Sequence, residues 1–223
     1  MSDVQVAIVD HGLGNLFSVK HACAQVGLSA SVTSSAREIE EADAIILPGV
    51  GAFGDAMAIL RQLDLIEVLR AAAVSGAPLM GICLGMQLLM SESFEFGRHE
   101  GLGIIKGDVV RFENPAAASP RWKVPQVGWN RIFKKGRAWE QTGLESVEDA
   151  SCMYFVHSFY VRPVDARFIV SITRYGQVEF CSSLQRGNVF ATQFHPERSG
   201  PRGLQIYRNF AAQVIRTKEV QRV

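Results

Sequence analysis

The sequence predicts an α/β fold with an open, mostly parallel central sheet, helices on both faces, and an additional antiparallel β portion in the C-terminal half. In the first half, short apolar runs alternate with helical stretches, which is typical of a parallel sheet covered on both faces. The second half carries successive β-like segments instead. Hydrophobic residues make up 48% of the 223 residues, which is enough for a sizeable core.

The elements of the first half follow from apolar runs and from glycine or proline at their ends. In chain order we predict a strand at 4–9, a helix at 16–26 ended by Gly27, strands at 29–33 and 44–47, a helix from about 55 to 74, a strand at 77–83 and a helix at 84–90. Ligand sites in such sheets form beyond the carboxyl ends of the strands.

In the second half we predict strands at 107–112, 126–133, 153–161, 168–173, 178–183 and 189–194, and a last helix from about 201 to 217. Residues 113–123 have the composition of a loop, which we interpret as a surface connection. No repeat or long polar tract divides the chain, so residues 1–223 are expected to form a single domain.

Composition and charge argue against several classes of protein. The net charge of +1 gives no electrostatic reason to expect nucleic-acid binding. We expect a soluble, cytoplasmic protein, because there is no signal-peptide pattern and the apolar runs are too short to cross a bilayer. The scattered cysteines predict neither disulfides nor a zinc site, and no metal or cofactor is expected. They are Cys23, Cys83, Cys152 and Cys181.

Cys83 lies in the most informative segment, Gly-Ile-Cys-Leu-Gly at 81–85. The pattern of a nucleophile between two glycines, at the junction of a predicted strand and a predicted helix, is typical of a nucleophile turn. The start of the helix favours the thiolate, and the backbone N–H of Leu84 is a candidate oxyanion donor. The pentapeptide alone also fits a buried cysteine in a glycine-containing strand.

A cysteine nucleophile needs a base that a third group orients. His195 ends an apolar run, and Glu197 follows two residues later. Side chains two apart on an extended chain face the same side, so both can point into one site. The tripeptide alone also fits a strand-end turn. Among the other histidines, His157 is expected in a core or pocket wall, and His11 could line the mouth of a site.

The motifs GICLGMQLL (81–89) and QFHPERSG (193–200) resemble those of the class I glutamine amidotransferases. LPGVGAF (47–53), VGWN (127–130) and YFVHSF (154–159) resemble, within that family, the glutaminase subunits of imidazole glycerol phosphate synthases. The similarity spans nearly the whole chain. It implies hydrolysis of L-glutamine to L-glutamate and ammonia by a triad of Cys83, His195 and Glu197.

The resemblance also implies how the substrate is held. Oxyanion donors are expected from the backbone at Leu84 and from the segment at 48–51, which is expected to rearrange before it supplies a donor. The substrate-binding and oxyanion positions that match are Gly49, Val50, Gly51, Leu84, Gln87, His157 and Ser158.

The resemblance further implies a partner, a (β/α)8-barrel synthase subunit that receives ammonia through an internal passage and makes imidazole glycerol phosphate and AICAR in histidine biosynthesis. Asn15, Gln126 and Trp129 are candidates for the docking face of this heterodimer. Two positions depart from the family pattern, since Gln126 stands where histidine is expected and His11 stands where tyrosine is expected.

Both departures concern the predicted docking face, so the partner stays open between two alternatives. We favour the histidine pathway, but paralogues that supply ammonia for sugar amidation in surface polysaccharides share part of the pattern. Hypotheses of another class are a free-standing cysteine hydrolase and a catalytically silent binding subunit.

Overall fold

The computed structural model describes residues 4–113, 122–136 and 138–220. Most of the predicted loop at 113–123 therefore lies outside the described residues. Within the described part of the chain, no helix is both long and apolar enough to pass through a membrane.

Strands and helices alternate up to the nucleophile turn, with two consecutive helices before β4. In chain order they are β1 (Gln5–Val9), α1 (Leu16–Gln25), β2 (Ser29–Thr33), α2 (Ala36–Glu40), β3 (Ala44–Leu47), α3 (Phe53–Gln62), α4 (Leu65–Ser75), β4 (Leu79–Ile82) and α5 (Leu84–Leu88).

The remainder is mostly β structure and ends in one long helix. Its elements are β5 (Met90–Ser93), β6 (His99–Glu100), β7 (Ile105–Arg111), β8 (Gln126–Arg131), β9 (Phe133–Lys134), β10 (Cys152–His157), β11 (Phe159–Pro163), β12 (Ile169–Tyr175), β13 (Val178–Arg186), β14 (Val189–Thr192) and α6 (Gly200–Val220).

The described residues form a central sheet of eight strands in the order β2-β1-β3-β4-β14-β13-β12-β9. Pairing is parallel from β2 to β14 and antiparallel from β14 to β9, which confirms the predicted fold class. Two smaller sheets, β10-β8 and β11-β7-β5-β6, pack beside it. β4 and β14 are neighbours although more than a hundred residues separate them in sequence, and this adjacency positions the site.

The core lies on both faces of the central sheet. Alternate side chains of β1, β3 and β4 point to opposite faces, because successive residues of a strand do so. One face packs on α3 and α4, and the other packs on α1 and α6. Apart from the exposed Gln5 at the start of β1, these strands are therefore without polar side chains, as a parallel sheet buried on both faces requires.

The helix predicted from about 55 to 74 is two helices. α3 ends at Gln62, and α4 begins at Leu65 after Asp64, whose φ of 57° is left-handed. A left-handed residue breaks the helical hydrogen-bond ladder and redirects the chain. The composition of the segment is helical throughout, so apolar periodicity alone gave no sign of the break.

The strand predicted at 153–161 is also two strands. β10 pairs with β8 and β11 pairs with β7, so the chain passes from one small sheet to the other at Ser158. The helix predicted at 84–90 ends at Leu88, and Met90 opens β5. The short α2, β5 and β6 were not predicted.

Candidate active site

The ends of two neighbouring parallel strands bring the predicted nucleophile and base together. Ile82 of β4 pairs with Thr192 of β14, so Cys83 and the residues after Thr192 leave the sheet side by side. The N–H of Cys83 donates to the carbonyl of Thr192 at 2.8 Å. The site thus forms beyond the carboxyl ends of the strands, as predicted for this class of fold.

The backbone of Cys83 is strained, with φ 55° and ψ −108°. Such angles project the side chain from a sharp turn between β4 and α5 and persist only where surrounding structure enforces them. A Cβ added at Gly85 would lie 1.7 Å from the carbonyl oxygen of Leu47, and one at Gly81 would lie 3.1 Å from the nitrogen of Met86. The two glycines are therefore needed for close packing around the turn.

His195 and Glu197 form a buried pair. Nδ1 of His195 lies 2.7 Å from Oε1 of Glu197, and the two side chains are 6% and 1% exposed. The carboxylate can only accept, so Nδ1 carries the hydrogen and Nε2 is left to interact with Cys83. Within the described residues Nε2 makes no hydrogen bond of ordinary geometry.

The electrostatics of this pair favour a protonated imidazole. Burial lowers the pKa of His195, but the nearby Cys83 sulfur and then Glu197 raise it, and the net result is a pKa of about 10. A positive ring beside the sulfur stabilises negative charge on it. This is the charge arrangement that a thiolate nucleophile requires.

Ser199 fixes the backbone that carries His195. Its hydroxyl donates to the carbonyl of His195 at 2.6 Å and accepts the N–H of Tyr154 at 3.0 Å. The N–H of His195 donates to the carbonyl of Tyr154 at 2.9 Å. Hydrogen bonds to β10 thus fix the backbone of His195 on one side, and the end of β14 fixes it on the other.

Gln193 is a contact of the nucleophile that sequence reasoning missed. Its Nε2 donates to Sγ of Cys83 at 3.7 Å, and its Oε1 accepts from Nε2 of Gln87 at 3.2 Å. The second bond fixes the amide orientation, so an N–H faces the sulfur. The signal in the sequence is a glutamine at the end of an otherwise apolar run. The structure buries it fully, which is costly for an amide unless it is hydrogen-bonded.

A cavity of about 250 Å³ opens onto the sulfur of Cys83. Of the predicted substrate-binding and oxyanion residues, Val50, Gly51, Leu84, Gln87, His157 and Ser158 line it together with Cys83. Glu95, which was not predicted, lines it as well; its Oε2 accepts the N–H of Phe53 at 2.6 Å. The cavity therefore combines one carboxylate, one imidazole and amide and hydroxyl groups.

His157 is a neutral wall of this cavity. Burial lowers its pKa to about 4. Nδ1 lies 2.7 Å from the carbonyl of Phe159 and must carry the hydrogen, because a carbonyl can only accept. Nε2 is buried and has no partner among the described residues, so it is a free acceptor.

The segment predicted to supply the oxyanion hole lies across the nucleophile turn. The N–H of Leu84 donates to the carbonyl of Gly49 at 3.3 Å, and the N–H of Val50 donates to the carbonyl of Leu13 at 3.3 Å. Both predicted donors are thus engaged by carbonyl groups. In this arrangement neither N–H is available to a negative oxygen on the attacked carbon.

The three predicted docking residues do not share one surface. Asn15 is exposed and caps α1, accepting the N–H of Ser18 at 3.3 Å. Trp129 is 60% exposed. Gln126 is 2% exposed, because side chains of β8 alternate and its side chain faces inward, opposite His157. The prediction that Gln126 contacts a partner does not fit this placement.

His11, expected at the mouth of a site, is buried behind the oxyanion segment. Among the described residues, no cluster of three or more histidine, cysteine, aspartate or glutamate side chains could hold a metal ion.

Comparison with known proteins places this chain in a family. The family "Glutamine amidotransferase class-I" matches residues 7–214. An imidazole glycerol phosphate synthase subunit HisH from Rhodopirellula baltica is 46% identical over 206 residues, which cover 92% of this chain and 96% of that protein. A HisH subunit from Syntrophotalea carbinolica is also 46% identical over 206 residues, covering 92% of this chain and 98% of that protein. In fold, the chain resembles PurLQS from Thermotoga maritima, with a TM-score of 0.70 at 19% identity over 97% of this chain and 99% of that one.

Proposed function

Because this chain belongs to the class-I glutamine amidotransferase family, we propose that it is the glutaminase subunit of an imidazole glycerol phosphate synthase. It hydrolyses L-glutamine and supplies the ammonia to a (β/α)8-barrel subunit in histidine biosynthesis. The observation that carries the proposal is that Cys83 lines the cavity and lies against the buried His195–Glu197 pair, in a chain 46% identical to named HisH subunits. The whole chain is proposed to act as one amidotransferase domain.

The substrate is held by groups that match its two ends. The carboxylate of Glu95 suits the α-ammonium of glutamine, because a buried carboxylate needs an opposite charge. Nε2 of His157 accepts a hydrogen from an N–H of the ligand, since the ring is neutral and that nitrogen is otherwise unpaired. Gln87 and Ser158 complete the wall near the side-chain carboxamide.

Acyl transfer proceeds in two halves. Sγ of Cys83 attacks the carboxamide carbon, His195 gives a proton to the departing nitrogen, and the C–N bond breaks to leave ammonia and a glutamyl thioester. His195, now neutral, takes a proton from water, and the hydroxide attacks the thioester carbon. The C–S bond breaks, glutamate leaves, and the sulfur and imidazole return to their starting state. Glu197 holds the imidazole tautomer throughout.

The oxyanion hole must open before the first step. The carbonyl of Gly49 occupies the N–H of Leu84, and the N–H of Val50 points to Leu13. A rotation of the Gly49–Val50 peptide removes the carbonyl and turns the N–H of Val50 into the site, and both donors then serve the oxyanion. We propose that docking of the barrel subunit and its substrate favours this rotation, which couples the two active sites.

The barrel partner is proposed on chemical grounds as well. Ammonia released into water becomes ammonium, which is no longer a nucleophile, so it must pass directly to its acceptor. The docking surface is proposed to include Asn15 and Trp129, both exposed. Docking there closes the glutamine cavity against solvent.

The test measures glutamate released from glutamine by the chain alone, with the barrel cyclase subunit, and with that subunit and its own substrate. We expect strong activation in the third case. Cys83→Ala is expected to reduce turnover by about a thousandfold or more, as loss of a nucleophile does. Cys152→Ala, at an exposed cysteine, is the matched control and should keep the parent rate.

A Cys83→Ala protein that releases glutamate at the parent rate would refute the glutaminase. Activity that no histidine-pathway cyclase stimulates, but that a sugar-amidating partner does, would assign the ammonia to surface polysaccharide biosynthesis instead.

A further inference from the structure

Among the described residues, His11 makes one short polar contact, with the segment whose rotation is proposed above. It follows β1 in the chain and is 1% exposed. Its Nε2 lies 2.8 Å from the carbonyl oxygen of Pro48. Because that oxygen can only accept, Nε2 carries the hydrogen and donates it. Nδ1 is buried and has no hydrogen-bond partner among the described residues, so the Pro48 contact is what orients the ring.

The ring of His11 also limits the position of the next residue. A Cβ built at Gly49 would lie 3.1 Å from Nε2 of His11 and 3.1 Å from Cβ of Leu84. The imidazole and the nucleophile turn therefore both pack closely against Gly49. The backbone has little room to shift toward either of them.

Two consecutive peptides are thus held with different strength. The Pro48–Gly49 peptide is held by a buried hydrogen bond of 2.8 Å. The Gly49–Val50 peptide is held by two longer bonds of 3.3 Å, one at its carbonyl and one at its N–H. Each of the two longer hydrogen bonds is weaker than the shorter one, and we therefore place the rotation in the second peptide and not in the first. The boundary between a fixed and a rotating peptide is at Gly49, which tolerates a wide range of backbone angles.

We infer that His11 is a positioning residue that anchors the Pro48–Gly49 peptide, so that rotation of the following peptide delivers the N–H of Val50 to the oxyanion. The inference rests on the proposed glutaminase function. His11 touches neither glutamine nor the reacting atoms and acts through the oxyanion segment. Without the anchor the whole segment swings, and the N–H of Val50 reaches the oxyanion in only part of the molecules. Turnover falls, while the glutamine-binding groups stay in place.

The test replaces His11 by two amide side chains of different length, glutamine and asparagine. The nitrogen of a glutamine side chain falls near the position of Nε2 in histidine, whereas that of asparagine falls near Nδ1 and is too short for the Pro48 carbonyl. His11→Gln is expected to keep at least half of the parent kcat in the complex with the barrel cyclase. His11→Asn is expected to lower kcat by about tenfold, the effect of one lost hydrogen bond, with KM for glutamine changed less than twofold. His11→Phe should behave like His11→Asn.

A second measurement separates the anchor from damage to the fold or the triad. Alkylation of Cys83 by iodoacetamide requires the thiolate but forms no oxyanion, so its rate should be equal in the parent, His11→Gln and His11→Asn. Equal kcat in the parent and His11→Asn overturns the inference, and so does an alkylation rate that falls together with kcat. A parent complex that releases no glutamate overturns the proposed function, and the anchor with it.

Discussion

The buried imidazole of His157 links the substrate cavity to stability in acid. Its ring packs among Phe112, Phe155 and Phe180, with centroids 5.1, 5.7 and 5.2 Å away. This apolar cluster gives a charged ring no solvation, and burial therefore lowers its pKa to about 4. Neutral His157 keeps Nε2 as an acceptor for the ligand, so the same burial that positions the ring also sets its protonation state.

Between pH 6.5 and 4 the unfolded chain takes up a proton at residue 157 that the folded chain does not. The free energy of unfolding is then expected to fall as the pH decreases through this window, by about 3 kcal/mol for the full pKa difference. Urea unfolding at several pH values measures it. His157→Phe should flatten the dependence, whereas His21→Gln, at an exposed histidine, should not.

The raised pKa of His195 affects stability in a different pH range. Its folded pKa is raised to about 10, so its stabilisation is complete below pH 6.5 and is lost as the pH rises toward 10. It therefore cannot mask the acid effect of His157. An unchanged pH dependence in His157→Phe between pH 6.5 and 4 would contradict the assignment of a buried, neutral ring.

Single residues of the site were accessible from sequence where a local pattern carries the chemistry. Cys83 lies in such a pattern, and the two-residue spacing of His195 and Glu197 places them on one side of an extended chain. Gln193 and Glu95 were missed, because their roles come from what they face across the fold. The inward orientation of Gln126 was missed for the same reason: strand alternation gives two faces, and only packing decides which one is buried.

Among the elements, the break between α3 and α4 stores backbone strain. Asp64 has φ 57° and its side chain makes no capping hydrogen bond to α4. A non-glycine residue in this region costs about 1 kcal/mol relative to glycine. Asp64→Gly is therefore expected to raise the free energy of unfolding by roughly 0.5–1 kcal/mol.

Thermal or urea unfolding of Asp64→Gly and Asp64→Ala provides the comparison. Alanine keeps a Cβ, so Asp64→Ala should not be stabilised. Equal stability of the two variants would mean that the left-handed angle carries no cost at this position. Kinetic constants for glutamine should be unaffected, because Asp64 lies outside the cavity that Cys83 lines.

Element prediction was accurate for β2, an exposed edge strand, and for β3, a buried strand that is followed by the markers Pro48 and Gly49. β2 and β3 fall on the predicted residues. It failed where the chain turns without such a marker, at Asp64 and at Ser158. Ser158 lies between β10 and β11, which continue the same apolar alternation but belong to different sheets. Periodicity gives the conformation of a segment and not its pairing partner.

At the scale of the whole molecule, the catalytic arrangement depends on a long-range insertion. β14 returns to the sheet beside β4 after the chain has formed β5 to β13. No local pattern specifies which strand lies beside β4, so the proximity of Cys83 and His195 was an inference from chemistry and resemblance. The parallel register of Thr192 with Ile82 gives the physical reason for it.

We propose that an aromatic patch on β8 and its neighbours binds the barrel subunit. Trp129 is 60% exposed on the outward face of β8, next to Val127, which is equally exposed. Its ring centroid lies 6.1 Å from that of Tyr154, and the guanidinium of Arg198 lies 4.6 Å from the Tyr154 ring. Tryptophan, tyrosine and arginine are the residues most enriched among those that dominate binding energy.

Trp129→Ala is therefore expected to weaken binding of the barrel cyclase by at least about tenfold, because an aromatic residue at the centre of an interface contributes about 2 kcal/mol or more. Calorimetric titration measures the affinity, and the melting temperature of the free chain should not change, since the ring is largely solvated. Val74→Ala, at an exposed apolar residue on α4, is the control and should bind as the parent does.

If Trp129→Ala binds the cyclase with the parent affinity, the docking surface does not include this part of β8. If Trp129→Ala loses glutaminase activation at limiting cyclase but regains it at saturating cyclase, Trp129 contributes to docking alone. It then has no part in the rotation that opens the oxyanion hole.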